Sequence, residues 1–218
     1  MGVFRRIPIQ PDELPPVPPV IRSNMGLTLR NGFTLLELMV TLLLFSIILT
    51  VGVPTFREFT LTNKMATRVN TLVSDLTYAR NEAVKRNSGV TVCKSANPTS
   101  ALASCTSAGG WEQGRIIFVD AIGPPYGQRD TGEVLLRASQ PFADGSTLRG
   151  NANVQDSITY IGTGRVAGSN GSLIFCDERI TNFDTDKSKA RVIVISNTGR
   201  IRTEPGDGNT LTSCTPSP

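Results

Sequence analysis

Arg200 and Arg202 are separated by a single isoleucine and follow the tripeptide Asn197-Thr198-Gly199. That tripeptide reads as a short hairpin loop, with glycine where a positive φ is tolerated. In the strand leaving it, Arg200 and Arg202 fall on one face and Ile201 on the other, the two guanidinium groups about 6.5 Å apart. Such a pair can engage successive phosphates bidentately without reading base sequence. Lys187, Lys189 and Arg191 precede the loop, so residues 187–202 carry five cations and no acid. The whole chain carries only +4, which places its basic character almost wholly in this segment. The three earlier cations are expected to add a weaker attraction, screened over roughly 8 Å at physiological salt. The competing reading is a solvated edge strand whose arginines block edge-to-edge pairing.

A second chemical oddity is Glu37, the one charge in the apolar run Phe33 to Val53. A carboxylate in a membrane helix costs roughly 2.5–3.5 kcal/mol and is functional by default. The alternative is a tolerated charge near a helix end that reaches the headgroups. Catalytic chemistry is poorly provided for. There is no histidine, which removes Ser-His-Asp and Cys-His catalysis and every histidine metal site. No C-x-x-C pair occurs among the four cysteines, which argues against zinc and thioredoxin-type chemistry. No cofactor or metal is expected, and the chain is not expected to be an enzyme. With one Trp and three Tyr, a row of base-stacking aromatics is not expected either.

The elements that must position these residues begin after a proline-rich segment. Residues 1–24 hold six of the fourteen prolines and show no apolar period. The run Phe33 to Val53 is 21 residues long, which at roughly 1.5 Å per residue spans a hydrocarbon core as a helix. Arg22 and Arg30 precede it and favour a cytoplasmic N-terminus, with the rest exported. A signal peptide would be cut after its apolar run at a small-residue site, and Val51-Gly52-Val53-Pro54 is a poor one. A buried core helix would be shorter. From Pro54 to about Asn87 the pattern continues as an amphipathic helix, with Phe59, Ala66, Val69, Val73, Leu76 and Ala83 on the packing face. Lys64, Arg68, Asp75 and Glu82 are expected on the opposite, solvated face. Arg80 lies within the apolar stripe and needs a buried partner or a snorkelling route.

After Asn87 the period changes to two. Strands are expected at Val90–Cys93, Arg115–Val119, Val134–Leu136, Ile158–Ile161, Leu173–Cys176 and Val192–Ile195, separated by glycine-rich turns. No helix-length pattern intervenes, so the strands should pair antiparallel, in one or two sheets resting on the helix. Four cysteines on the exported side read as two disulfides, against the alternative of free buried thiols. Of three possible pairings, Cys93–Cys105 closes a short loop, and Cys176–Cys214 then ties the tail to a strand.

At Gly32-Phe33-Thr34-Leu35-Leu36-Glu37 the chain resembles the processing site of type IV prepilins and type II secretion pseudopilins. Pro54, near the membrane exit, fits the same pattern. The resemblance implies cleavage between Gly32 and Phe33 by a prepilin peptidase, N-methylation of Phe33, and assembly through Glu37. In a filament that carboxylate would pair with the N-terminal ammonium of a neighbouring subunit. Translation is expected to start at Met25, giving an eight-residue leader. The exported part resembles the FimT/GspH family from Phe33 to about Arg202. Its matching residues are Tyr78 to Ala83, Trp111 to Gly114, Phe118-Val119-Asp120, Phe175-Cys176 and Val192 to Arg202; residues 121–156 match nothing in the family.

This resemblance implies an α+β type IV pilin fold, with a leader at 1–32, a transmembrane or filament-core helix at 33–53, its amphipathic continuation at 54–87 and a disulfide-bonded β-rich domain at 88–218. Gly199-Arg200-Ile201-Arg202 looks like the Gly-Arg-x-Arg DNA-binding motif of FimT-type minor pilins. It implies a minor pilin of a type IVa pilus that binds extracellular DNA during natural transformation. The other implied role is a GspH-like pseudopilin of a type II secretion system, structural and without DNA binding. Expected partners are the prepilin peptidase, other pilins or pseudopilins, the inner membrane and DNA. The location implied is the bacterial inner membrane, single-pass with a periplasmic domain, then the filament.

Overall fold

A computed structural model describes residues 32–208 and Cys214. The expectations for the proline-rich segment, the Met25 start, and Arg22 and Arg30 lie outside these residues. Helix α1 runs from Leu35 to Arg86. Thr34 caps it: its Oγ1 accepts from Glu37 N at 3.2 Å and its carbonyl from Leu38 N at 3.1 Å. Thr-x-x-Glu is the pattern of a helix capping box, and a carboxylate in the first turn also complements the helix dipole. Every residue from Leu35 to Val53 is exposed, and this stretch is long and apolar enough to cross a membrane.

The compact unit, from Thr50 onward, is built on the later turns of α1. Met65, Val69, Leu72, Leu76, Ala79 and Ala83 are buried there, a helical stripe facing one core. Each large apolar side chain buried this way contributes roughly 1.5–3 kcal/mol. Val69, Leu76 and Ala83 stand where periodicity puts them. Phe59 and Ala66, expected on the same face, are exposed. The stripe is carried instead by Met65, Leu72 and Ala79.

Eight strands follow: β1 (Val90–Lys94), β2 (Arg115–Val119), β3 (Leu135–Ser139), β4 (Thr147–Gly150), β5 (Ser157–Tyr160), β6 (Gly171–Cys176), β7 (Arg191–Ile195) and β8 (Ile201–Pro205). They form two antiparallel sheets, ordered β3-β2-β1-β5 and β4-β6-β7-β8. The fold is therefore α+β, a long N-terminal helix packed on antiparallel sheets. β2 has the expected bounds and the other expected strands shift by one to three residues: β3 starts after Val134 and runs on to Ser139, Ile161 lies beyond β5, and β6 begins at Gly171. β4 lies outside the expected strands.

In the first sheet Val90, Val92, Ile117, Ile158 and Tyr160 face the helix, as do Leu148, Leu173, Phe175, Ile193 and Ile195 in the second. The other faces are covered as well. Cys93, Ile116 and Phe118 lie under Ala103 and Cys105; Ile174, Cys176 and Val192 lie under Ile180, Phe183 and Cys214. Burial on both faces makes these strands near-continuous apolar runs, a departure from the period of two expected of them. The disulfides are Cys93–Cys105 and Cys176–Cys214, as expected, and each pins one of these coverings.

One helix residue corrects the sequence reading outright. Asp75 is 2% exposed and faces the first sheet, not solvent. Its Oδ2 accepts from Arg115 Nε at 2.8 Å and Ser139 Oγ at 2.9 Å, and its Oδ1 from Arg137 Nη1 at 3.0 Å. Arg115 is 1% exposed; burial lowers its pKa while the Asp75 carboxylate opposes that shift. A buried charge is tolerated only when paired and hydrogen-bonded, and this network supplies both.

Candidate nucleic-acid interface and filament residues

The turn between β7 and β8 has the geometry its sequence implies. Gly199 has φ +79° and donates to Ser196 O at 2.8 Å, and Ser196 N donates to Arg200 O at 2.9 Å. Strain is only part of the reason for glycine here. A Cβ at Gly199 would collide with Gly164 O and press on Arg80 Nε. Arg80 donates Nε to Gly164 O at 2.9 Å and Nη2 to Thr198 O at 3.3 Å, which supplies the partners its place in the apolar stripe demanded. The helix, the 162–164 turn and the 197–199 turn thus meet through one guanidinium.

Arg200 and Arg202 are both exposed, while Ile201 packs against the main core, as strand alternation requires. Arg202 lies beside Glu204 on the same face, Nη2 to Oε1 3.3 Å, with the two side chains 54% and 33% exposed. An exposed pair of this kind is worth about 0–1 kcal/mol, so Arg202 remains available to a stronger anion. Among the described residues no carboxylate pairs with Arg200.

The other cations are placed less favourably. Lys189 pairs with Asp186 at 3.1 Å, a contact that holds the Asp186 carboxyl below its usual pKa. Arg191 donates to the carbonyls of Ser188 and Ala190. In β7 it shares a face with Ile193 and Ile195, opposite Val194, whose cross-strand partner is Arg202. Arg191 and Arg202 therefore lie on opposite faces of one sheet. Lys187 is half-buried. Arg165, which no local pattern singles out, joins the turn from another part of the chain, its Nη2 2.5 Å from Asn197 Oδ1.

At the other end, Gly32 and Phe33 precede the helix and Phe33 is exposed. A Cβ at Gly32 would meet nothing within 4 Å among the described residues, so none of these requires a glycine there.

An apolar N-terminal helix that continues into a compact unit and packs there on antiparallel sheets defines a type IV pilin-like protein. Residues 27–53 match the prokaryotic N-terminal methylation motif, and residues 68–199 match the family described as Type II transport protein GspH. The chain belongs to this family, the FimT/GspH group of type IV pilin-like proteins. Among solved structures it is similar to the type IV minor pilin FimU of Pseudomonas aeruginosa (strain PAO1). In one crystal form the identity is 23%, the TM-score 0.52, and the match covers 72% of this chain and 99% of that one. In another the identity is 22% and the TM-score 0.47, over 69% and 99%. The first likeness carries the fold. No curated protein matches the chain by sequence. The methylation motif implies processing by a prepilin peptidase and pilin partners in a filament; the family is one of structural pilin and pseudopilin subunits.

Proposed function

We propose that the chain is a minor pilin of a type IVa pilus that binds extracellular DNA without sequence preference, for uptake in natural transformation. The observation that carries this is the exposed Arg200–Arg202 pair, set just past a turn that Gly199, Gly164 and Arg80 hold in place. Two guanidinium groups on one strand face suit adjacent phosphates, and phosphate contacts position a protein on nucleic acid without reading bases. Few contacts imply modest affinity that salt weakens further, with a log–log slope of about −0.9 for each phosphate contacted.

The test is titration of the full chain, in detergent, with duplex DNA at several salt concentrations, together with transformation frequency in cells. Arg200→Gln with Arg202→Gln should weaken binding, flatten the salt dependence and lower transformation. If the double variant binds and transforms like the parent, the pseudopilin role is the better account. That second reading is favoured by the Glu204 partner of Arg202, which is what a solvated edge strand would carry.

For assembly, we propose cleavage between Gly32 and Phe33, N-methylation of Phe33, and a filament role for Glu37. Among the described residues nothing demands glycine at 32, which supports an external demand, the close approach of a peptidase to the backbone. The mature helix would sit in the inner membrane with the compact unit periplasmic. Glu37→Val should be cut normally yet enter filaments poorly; normal incorporation would end the ammonium-pairing role.

A further inference from the structure

We infer that Arg165 is a third phosphate-binding arginine of the Arg200–Arg202 surface, delivered by a second turn; the inference rests on the nucleic-acid reading above. Arg165 lies far from the basic segment in sequence, in a glycine-rich stretch with no other cation. The fold brings it to the same turn. Its Nη2 donates to Asn197 Oδ1, Val166 N donates to Asn197 O at 3.0 Å, and Asn197 Nδ2 donates to Gly168 O. Its own turn is closed by Ile161 N to Arg165 O at 2.9 Å and Gly164 N to Ile161 O at 2.8 Å. Arg80 holds both turns at once, through Gly164 O and Thr198 O. The positions of Arg165 and Arg200 are therefore coupled by backbone contacts, which preorganises them.

Charge separates Arg165 from the lysines that sequence proximity would favour. Arg165 is exposed, its hydrogen bond goes to a neutral amide, and no carboxylate pairs with it among the described residues. Lys189 has Asp186. One Nη group engaged with Asn197 leaves other guanidinium donors for a phosphodiester oxygen pair. Arg80 is not a contact of this kind, because its Nε and Nη2 both serve backbone carbonyls; it is a positioning residue.

The probe is a duplex of mixed sequence, titrated onto the full chain in detergent at several salt concentrations. Arg165→Gln should lower the magnitude of the log–log salt slope by about 0.9, one phosphate contact, and weaken binding about as much as Arg200→Gln does. Arg165→Lys keeps the charge and should keep the slope. Lys189→Gln should leave the slope near the parent value. If Arg165→Gln leaves the slope unchanged while the Arg200/Arg202 double variant flattens it, the third contact is wrong and the DNA reading survives. If both substitutions at Arg165 weaken binding equally with no change in slope, Arg165 only shapes the turn, and the inference is overturned. If the double variant also changes nothing, the DNA reading itself fails and takes Arg165 with it.

Discussion

Two regions of the compact unit use arginine in opposite ways. Where α1 meets the first sheet, Arg115 is sealed from water and bonded twice to Asp75. At the 196–200 turn, Arg200 and Arg165 stand in solvent with no carboxylate partner among the described residues. The first arrangement stabilises a seam. A buried ion pair need not outperform apolar packing, but breaking one leaves an uncompensated charge. The second contributes little to stability and keeps its charge free for an outside anion. Residue type alone does not separate a sealed arginine from an exposed one; the three-dimensional neighbours of the side chain do.

The comparison breaks most visibly at Asp75. Asp75→Ala strands the Arg115 guanidinium and should cost about 3–5 kcal/mol in denaturant unfolding of the full chain. A loss below about 1 kcal/mol would mean that the seam does not depend on this pair. Next come the disulfides that pin the outer coverings. Replacing Cys176 and Cys214 by Ser should destabilise by roughly 2–4 kcal/mol, and the Cys93/Cys105 pair by a similar amount. Peptide mapping that found Cys93 joined to Cys176 would overturn the pairing.

A smaller effect is expected at Gly199, where the turn touches the rest of the fold. Gly199→Ala combines a positive φ with a collision against Gly164 O, and should cost about 1–3 kcal/mol while weakening DNA binding. Unchanged stability would show that the two turns do not pack as described. The least destabilising change is Arg200→Gln with Arg202→Gln, expected to stay within about 0.5 kcal/mol of the parent. That near-neutrality sharpens the contrast with Asp75, since the same variant should lose DNA affinity. A double variant that unfolds as easily as Asp75→Ala would place the arginines among the structural residues.

Local patterns made much of this legible. The apolar run with one carboxylate, the helical stripe at Val69, Leu76 and Ala83, and the β6 and β7 runs all follow from repeats of a few residues. So does the turn Asn197-Thr198-Gly199, because a positive φ is a property of the glycine itself. β4 has no local signal: Thr147-Leu148-Arg149-Gly150 offers a single apolar residue, and the strand exists because β6 supplies a pairing edge. The local pattern around Asp75 misleads for a related reason. On a helical wheel it sorts with Lys64, Arg68 and Glu82, and only the arrival of Arg115, 40 residues later, makes its burial possible.

By itself the sequence determined the elements with short-range causes: the length and apolarity of the first half of α1 with its single carboxylate Glu37, the apolar strands and the tight basic turn. Tertiary structure decided which charges are hidden and which are offered. It buried Asp75 and Arg115 together, set Arg191 and Arg202 on opposite faces, and carried Arg165 and Arg80 to a turn more than thirty residues away from either. The physical reason is that desolvation and ion pairing depend on the three-dimensional neighbours of a side chain. Those neighbours come from chain segments that no local repeat connects.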